Sequence, residues 1–591
     1  GILMKALLLP LVSGVVLLHG CDGRSPAATD QQSAGDTTPP VISEVILNRN
    51  PNPTVPLAAL LSVSTDEPSE LTVRIDDGEQ TWDATSSDGF ATEHSLMVLG
   101  MRLGRLHHIT AVVNDRSGNV STTRPLPLEM PPLPADLTLP ELISSNPELM
   151  EPGVTMFNVF QLPPGLGGPA APTSVLYIVD DQGEIIWYYR SELEVGDARR
   201  MSNGNLLFST GDSSRGVEID MLGNVVQQWH AVGTATDVPE GSTPVEMGSL
   251  HHEVAEMPSG NLLALSSELR VVEDFPTSDS DPDAPPGPGS VIGDVIVEFT
   301  RDGTVVREWK LLDIMDPYRI GFESLDGSFW AVRYGPLIED LEAEPIRDWA
   351  HANAVMYDPS DDSYIVSLYH QDAVVKIDRD TGELLWILGA PDNWQEPWSS
   401  RRLQPVGDLE WQYREHSPAL TPQGTMILFD NGGARAGAFQ EQLPMEQRYS
   451  RIVEYDIDAE SMEVEQLWSY GGPGDDQFFS AFLGDADWLP ETSNILITDG
   501  ARIVPPEEMP AGAEEANEAE EADDAEAAEG TEEAEESIEI IDMLENFVFW
   551  GRVFEITHTQ PAEIVFEVQV KDAEGNGVLV YRAERLPSLY P

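Results

Sequence analysis

Three histidines stand at the head of one recurring phrase. His416 lies six residues before Pro422-Gln-Gly424, and the turn leads into Thr425-Met-Ile-Leu-Phe-Asp430-Asn431. His252 has the same offset from Pro258-Ser-Gly260, which leads into Asn261-Leu-Leu-Ala-Leu; neighbours on a strand face opposite ways, so whether His251 or His252 turns inward stays open, and the offset selects His252. His351-Ala-Asn353-Ala begins the same hairpin with a longer loop around Pro359. If the three phrases are equivalent strands of successive repeats, their rings face one another. A neutral imidazole can act as a nucleophile, and an imidazolium beside it can hold charge on transferred oxygens or protonate a leaving group. Three imidazoles would also suit zinc. No acidic residue recurs in phase to orient them, so no metal and no other cofactor is expected.

The elements that carry these rings repeat from about Val175 onward. One half of the repeat is a strand, a Gly-centred turn and a strand ending in an aromatic residue: Val175 to Trp187, Gly216 to Trp229, Val295 to Trp309, Val374 to Trp386, Arg451 to Trp468 and Gly551 to Phe566. The other half is an inner hairpin of the type Ser202-Asn-Gly-Asn-Leu-Leu or Pro258-Ser-Gly-Asn-Leu-Leu. Four strands per unit, six units and radial closure of the sheet edges give an all-β, six-bladed β-propeller over 151–591, with Val578-Leu-Val-Tyr-Arg closing the ring. In that fold the innermost strands line the axis, where the three histidines would meet. The insertion at 274–289 reads as a surface loop. The one at 507–545 is an Ala/Glu/Asp run too charged to bury a core.

Before the propeller, residues 39–132 alternate short apolar strands with Asp-Gly and Gly-Asn turns, the pattern of a small immunoglobulin- or fibronectin-like β-sandwich. His94, His107 and His108 fall inside it and read as structural. Residues 133–150 are proline-rich and read as a stiff linker. At the start, Met4-Lys5 and the apolar Ala6 to Leu18 suggest a signal over 1–21, with Leu18-His-Gly-Cys21 as a lipobox, followed by a flexible tether over 22–38. This implies a periplasmic or cell-surface location, with membrane attachment only through a lipid on Cys21. As the one cysteine, Cys21 has no disulfide partner within the chain.

The 591 residues carry 32 Lys+Arg against 103 Asp+Glu, a formal net charge of -71. A phosphate backbone needs a basic footprint, so nucleic acid is excluded as a partner. The acidity otherwise speaks to solubility rather than fold. Self-association into a homo-oligomer stays open.

Together, Asp348-Trp-Ala-His351-Ala-Asn353-Ala, Ser367-Leu-Tyr369-His370-Gln371 and Arg414-Glu-His416-Ser, set in repeated Gly-Asn-Leu-Leu hairpins, resemble the bacterial arylsulfate sulfotransferases over roughly 150–591. The resemblance implies ping-pong transfer of a sulfuryl group from a phenolic sulfate ester to a phenol, without a nucleotide donor. His416 matches the family's nucleophile, which would carry the group as a sulfohistidine, and His252 and His351 match its supporting histidines. Asn353 would orient His351. Relatives carry arginine where this chain has Tyr369, so Tyr369 or Arg414 is expected to contact the donor. His370 is expected to support packing. The competing reading is a non-catalytic surface propeller that binds a ligand or a partner protein.

Overall fold

The computed structural model describes residues 35–162, 172–333, 345–474, 477–503 and 547–590. The expected signal, Cys21, most of the tether and the acidic insertion lie outside the described residues.

Six four-stranded antiparallel units surround an axis. Blade 1 runs outward from Val195–Arg200 through Leu206–Thr210 and Arg215–Ile219 to Val225–Ala231. Blade 2 starts at His251–Glu256, blade 3 at Ala352–Asp358, blade 4 at His416–Leu420 and blade 5 at Asp485–Trp488. In blade 6 the innermost strand is the C-terminal Val578–Leu586, which pairs with Val154–Gln161 near the start of the propeller. The two ends of the ring are therefore hydrogen-bonded to each other, as expected of a closed propeller.

The recurring tryptophans explain why the blades stack. Indole N–H groups donate across blade boundaries to the turn of the next blade: Trp187 to Met221 O at 2.9 Å, Trp229 to Arg301 O at 2.9 Å, Trp309 to Arg379 O at 3.0 Å and Trp468 to Thr559 O at 3.1 Å. Trp386 instead packs into the apolar cluster of blade 4 with Leu428, Val453 and Tyr455. A buried indole whose N–H finds an acceptor contributes its full apolar area without a desolvation penalty.

Residues 133–150 are not simply a linker. Pro140–Ser145 forms a fifth, outermost strand on blade 5, paired with Ile564–Val570. Pro140 is its first residue, a place where a missing N–H is tolerated. The insertion after Phe275 is shorter than its composition suggests, because Leu262–Phe275 and Gly287–Phe299 continue as one long hairpin. At its tip, the Asp279 carbonyl accepts from Phe439 N of blade 4 at 2.6 Å.

The N-terminal domain is a seven-stranded unit built on Ala59–Asp76. That strand pairs with Ile42–Arg49 and Ala91–Val98 along its first half, and with Thr81–Thr85 and Leu106–Asp115 along its second. Its alternate residues Leu61, Val63, Leu71, Val73 and Ile75 enter the core. Arg102 ties the domain to the propeller through Asp180 and Glu184, both at 2.7 Å. No helix among the described residues is long and apolar enough to cross a membrane.

Candidate active site

The inner strands of blades 2, 3 and 4 deliver the histidines through bulges rather than through regular strand. Between His251 and Val254 three steps along the inner strand meet one step of its partner; at Ala352/Ala354 two meet one, and at His416/Ala419 three meet two. The equal offsets from Pro258 and Pro422 therefore do not translate into equal register. It is His251, not His252, that pairs in the ladder as His416 does. Bulges re-aim side chains, and the backbone shows it: φ is +56° at His252, +48° at His351, +58° at Arg414 and +52° at Ser417. Non-glycine residues in this region cost roughly 1–3 kcal/mol each, and such strain concentrates at functional sites.

The rings form a chain of contacts on the axis. His252 lies 5.0 Å from His351, His351 lies 5.0 Å from His370 and 5.8 Å from Tyr369, and Tyr369 lies 5.4 Å from His416. Phe329, from a short helix at Ser328–Arg333 inserted between blades 2 and 3, caps the group at 4.6 Å from His351 and 6.0 Å from His252.

Hydrogen bonds decide what each ring can do. Asn431 donates its amide N–H groups to Ser480 O at 2.9 Å and Leu483 O at 2.7 Å, so its Oδ1 can only accept. His416 Nδ1 sits 2.7 Å from that oxygen and must carry the proton, which leaves Nε2 with its lone pair. Burial pushes the His416 pKa down to about 3, against the opposing pull of the Asn431 bond, with Arg582 and His351 adding to the depression. The ring is neutral and nucleophilic at Nε2 over the physiological range.

His351 has the opposite electrostatic setting. Its Nδ1 is 2.5 Å from Asp348 Oδ2, and Asp348 is 2% exposed, so a buried carboxylate orients the ring and favours positive charge on it, with Nε2 on the far edge. Asp294 stands behind, 3.5 Å from His251 Nε2, and burial, with Asp348 beside it, pushes its pKa up to about 7. His251 Nε2 donates to Ser266 O at 3.0 Å, which makes its Nδ1 the acceptor for Nδ1–H of His252 at 2.8 Å. His252 thereby presents its Nε2 edge on the opposite side.

Asn353 donates to Glu415 O at 2.8 Å, joining blade 3 to blade 4 immediately before His416. Arg414 stacks its guanidinium 4.9 Å from the Tyr369 ring centroid, donates to Phe322 O at 2.7 Å, and is paired with Glu323 and Asp372 at 3.4 and 3.7 Å. The Tyr369 hydroxyl donates to Ala481 O at 3.1 Å. Arg414 thus stands behind Tyr369, whose ring lies between His351 and His416. His370, expected to serve packing, belongs to the ring chain itself, its Nδ1 on Asp348 O at 2.7 Å and its pKa driven well below the ordinary value by burial.

Sequence reading left His251 open against His252, gave His370 a packing role, and assigned no role to Asp348, Asn431, Phe329 and Arg582. Two of those four had a local signal: Asp348 lies three residues before His351, and Asn431 ends the strand opposite His416. The other two are brought in by tertiary structure.

The arylsulfotransferase (ASST) family model matches residues 141–582, and a model of an arylsulfotransferase Ig-like domain matches 46–131. The chain belongs to the arylsulfotransferase family. Among curated relatives it is similar to "Arylsulfate sulfotransferase AssT" of Escherichia coli O6:H1, 30% identical over 338 residues, 51% of this chain and 54% of that protein. The protein of the same name from Lelliottia amnigena is 31% identical over 242 residues, 36% of this chain and 40% of its own length. The chain thus spans about half the length of the curated relatives it matches. Among solved structures, the periplasmic gluconolactonase PpgL of Pseudomonas aeruginosa aligns over 87% of this chain and 99% of its own, at 11% identity and a TM-score of 0.30. For the assignment to the arylsulfotransferases, the sequence matches alone carry weight.

Proposed function

We propose that this propeller transfers a sulfuryl group from a phenolic sulfate ester to a phenol through a sulfohistidine on His416. The observation that carries the reading is the fixed tautomer of His416, a neutral imidazole whose Nδ1 proton is committed to Asn431. In the first half-reaction the Nε2 lone pair attacks sulfur, the N–S bond forms and the S–O bond to the aryl group breaks. The departing phenolate takes a proton from Nε2–H of an imidazolium His351, which is left neutral. His416 becomes a sulfonated imidazolium, its Nδ1–H still bonded to Asn431. In the second half the acceptor phenol gives its proton to His351 and its oxygen attacks sulfur, breaking the N–S bond and restoring neutral His416. His252 lies beside His351 and would hold sulfate oxygens through its Nε2 edge; the aryl group would lie against Phe329 and Tyr369.

The test is to incubate the protein with a chromogenic phenyl sulfate and record its intact mass before any acceptor is added. One added sulfuryl group, absent from His416→Asn and discharged by a phenol, is the expected result. Product release without any adduct, or an adduct that persists in His416→Asn, would overturn the reading.

A further inference from the structure

Beyond the histidine layer, further along the inner strands, the axis holds a small pocket of about 30 Å³ lined by Arg199, Glu253, Ser417, Asp485, Asp487 and Arg582 among others. Asp197 and Glu584 stand next to it, since both act electrostatically on its lining carboxyls. Five carboxyl groups therefore face Arg199, Arg582 and, beside Glu584, Arg200, an excess of two negative charges when all are ionised. Pairing uses up only part of this set. Arg582 holds Asp197 at 3.0 Å and Glu253 at 3.2 Å. Arg199 reaches Asp197 at 3.2 Å but stays 3.7 Å from Asp487 and 3.9 Å from Asp485.

Asp485 Oδ2 has no hydrogen-bond partner although Asp485 is 2% exposed. Its other oxygen accepts only from Ala486 N at 3.0 Å. Asp487 is two residues on along Asp485–Trp488, so both carboxyls project from the same face of the strand into the cavity. A buried carboxylate oxygen that accepts no hydrogen bond, with its one cation Arg199 3.9 Å away and a second carboxylate beside the pocket, has the surroundings of a ligand atom.

We propose that this axial cavity binds one hard divalent cation, Ca²⁺ or Mg²⁺, with Asp485 and Asp487 as carboxylate ligands and water completing the shell. Two added charges cancel the excess of two. Besides the two guanidinium groups and the Met356 thioether, the polar lining is carboxylate and hydroxyl oxygen with no imidazole or thiol, which selects this class of ion over zinc or copper.

The experiment is calorimetric titration of the full-length, EDTA-stripped protein with CaCl2 and with MgCl2 at an ionic strength of about 0.15 M. Wild type is expected to show one saturable site per chain above the weak background of its acidic surface. Asp485→Asn and Asp487→Asn should each weaken that site by at least about tenfold, since ligand charge sets affinity in such sites, while leaving the background intact. In parallel, CaCl2 should raise Tm of wild type more at about pH 8 than at about pH 5, where protons compete for the same oxygens. Superimposable titrations for wild type and both variants, or no saturable site in wild type, would overturn the proposal. The readout is heat and not turnover, so the result is independent of sulfuryl transfer.

Discussion

Asp348→Asn isolates the proposed division of labour between the histidines. Asp348 accepts from Nδ1 of His351 at 2.5 Å and is almost fully buried, so it adds negative charge behind the ring without touching substrate. Two opposite charges about 4 Å apart attract by about 4 kcal/mol at an effective dielectric near 20, and this sets the upper limit of what the imidazolium loses when the carboxylate becomes an amide. Proton donation by a positioned side chain is worth about 10²–10⁴ in rate, so loss of the cationic form should cost about 10²–10³ in kcat. The loss depends on the donor. A nitrophenyl sulfate releases a stable phenolate that needs little help, whereas an unsubstituted phenyl sulfate releases a basic phenolate that needs its proton. The assay is kcat/KM for a series of aryl sulfates of graded leaving-group basicity, in wild type and in Asp348→Asn. The variant should lie close to wild type for the best leaving groups and fall away progressively for the poorer ones. Intact-mass analysis should still find the adduct on His416. An equal loss across the series would mean that Asp348 maintains structure alone, and the assignment of His351 as the acid would fail.

Asn431→Leu removes the acceptor that fixes the His416 tautomer and should slow adduct formation by about tenfold or more, the worth of one good hydrogen bond, with KM little changed; a pre-steady-state burst measures it. Tyr369→Phe loses only the bond to Ala481 O, at about 1 kcal/mol of stability, and should keep most of its activity. Arg414→Ala leaves Glu323 and Asp372 buried without their cation and should destabilise by about 3–5 kcal/mol in a denaturant titration. The folded pKa of His416, about 3, lies below its ordinary 6.5, so the unfolded chain binds the proton more readily and the fold loses stability as pH falls through that interval. His416→Asn abolishes this proton uptake, so its Tm should fall less steeply than that of wild type between about pH 6 and about pH 4 in differential scanning fluorimetry.

The blades were legible because the repeat is periodic and chemically motivated. A tryptophan at the end of an outer strand reaches one turn of the next blade, and the same demand recurs at Trp187, Trp229, Trp309 and Trp468. The ring closure by Val578–Leu586 was legible for a similar reason, since a lone apolar strand after the last hairpin needs a partner. Register at the site was not. Offsets count residues from a turn, whereas bulges of unequal size at His251, Ala352 and His416 decide which side chain reaches the axis, and nothing in the residue types announces a bulge. His251 and His252 illustrate the point: one is bonded to Ser266 O and stands behind, the other meets His351. Phe329 and Arg582 come from an insertion between blades 2 and 3 and from the closing strand, and only closure of the ring brings them to the cluster.

On the proposed mechanism the same electrostatics bear on Tyr369, which stands where the resemblance to the family implies an arginine. Attack by a neutral His416 would build positive charge on the attacking ring and negative charge on the departing phenolate, while the charge on the sulfuryl oxygens would change little. The groups that matter most are then those at the two ends of the transfer. Asn431 Oδ1 accepts from Nδ1 as the His416 ring becomes cationic, and His351, backed by Asp348, meets the departing oxygen. A fixed cation at position 369 would oppose the charge growing on His416, whose ring centroid lies 5.4 Å from that of Tyr369. A tyrosine ring there separates the two imidazoles without adding charge, and Arg414 behind it, already paired with Glu323 and Asp372, leaves little net field at the reacting atoms. On the proposed mechanism the mobile proton of His351 is present when the phenolate leaves and absent when the acceptor must be deprotonated.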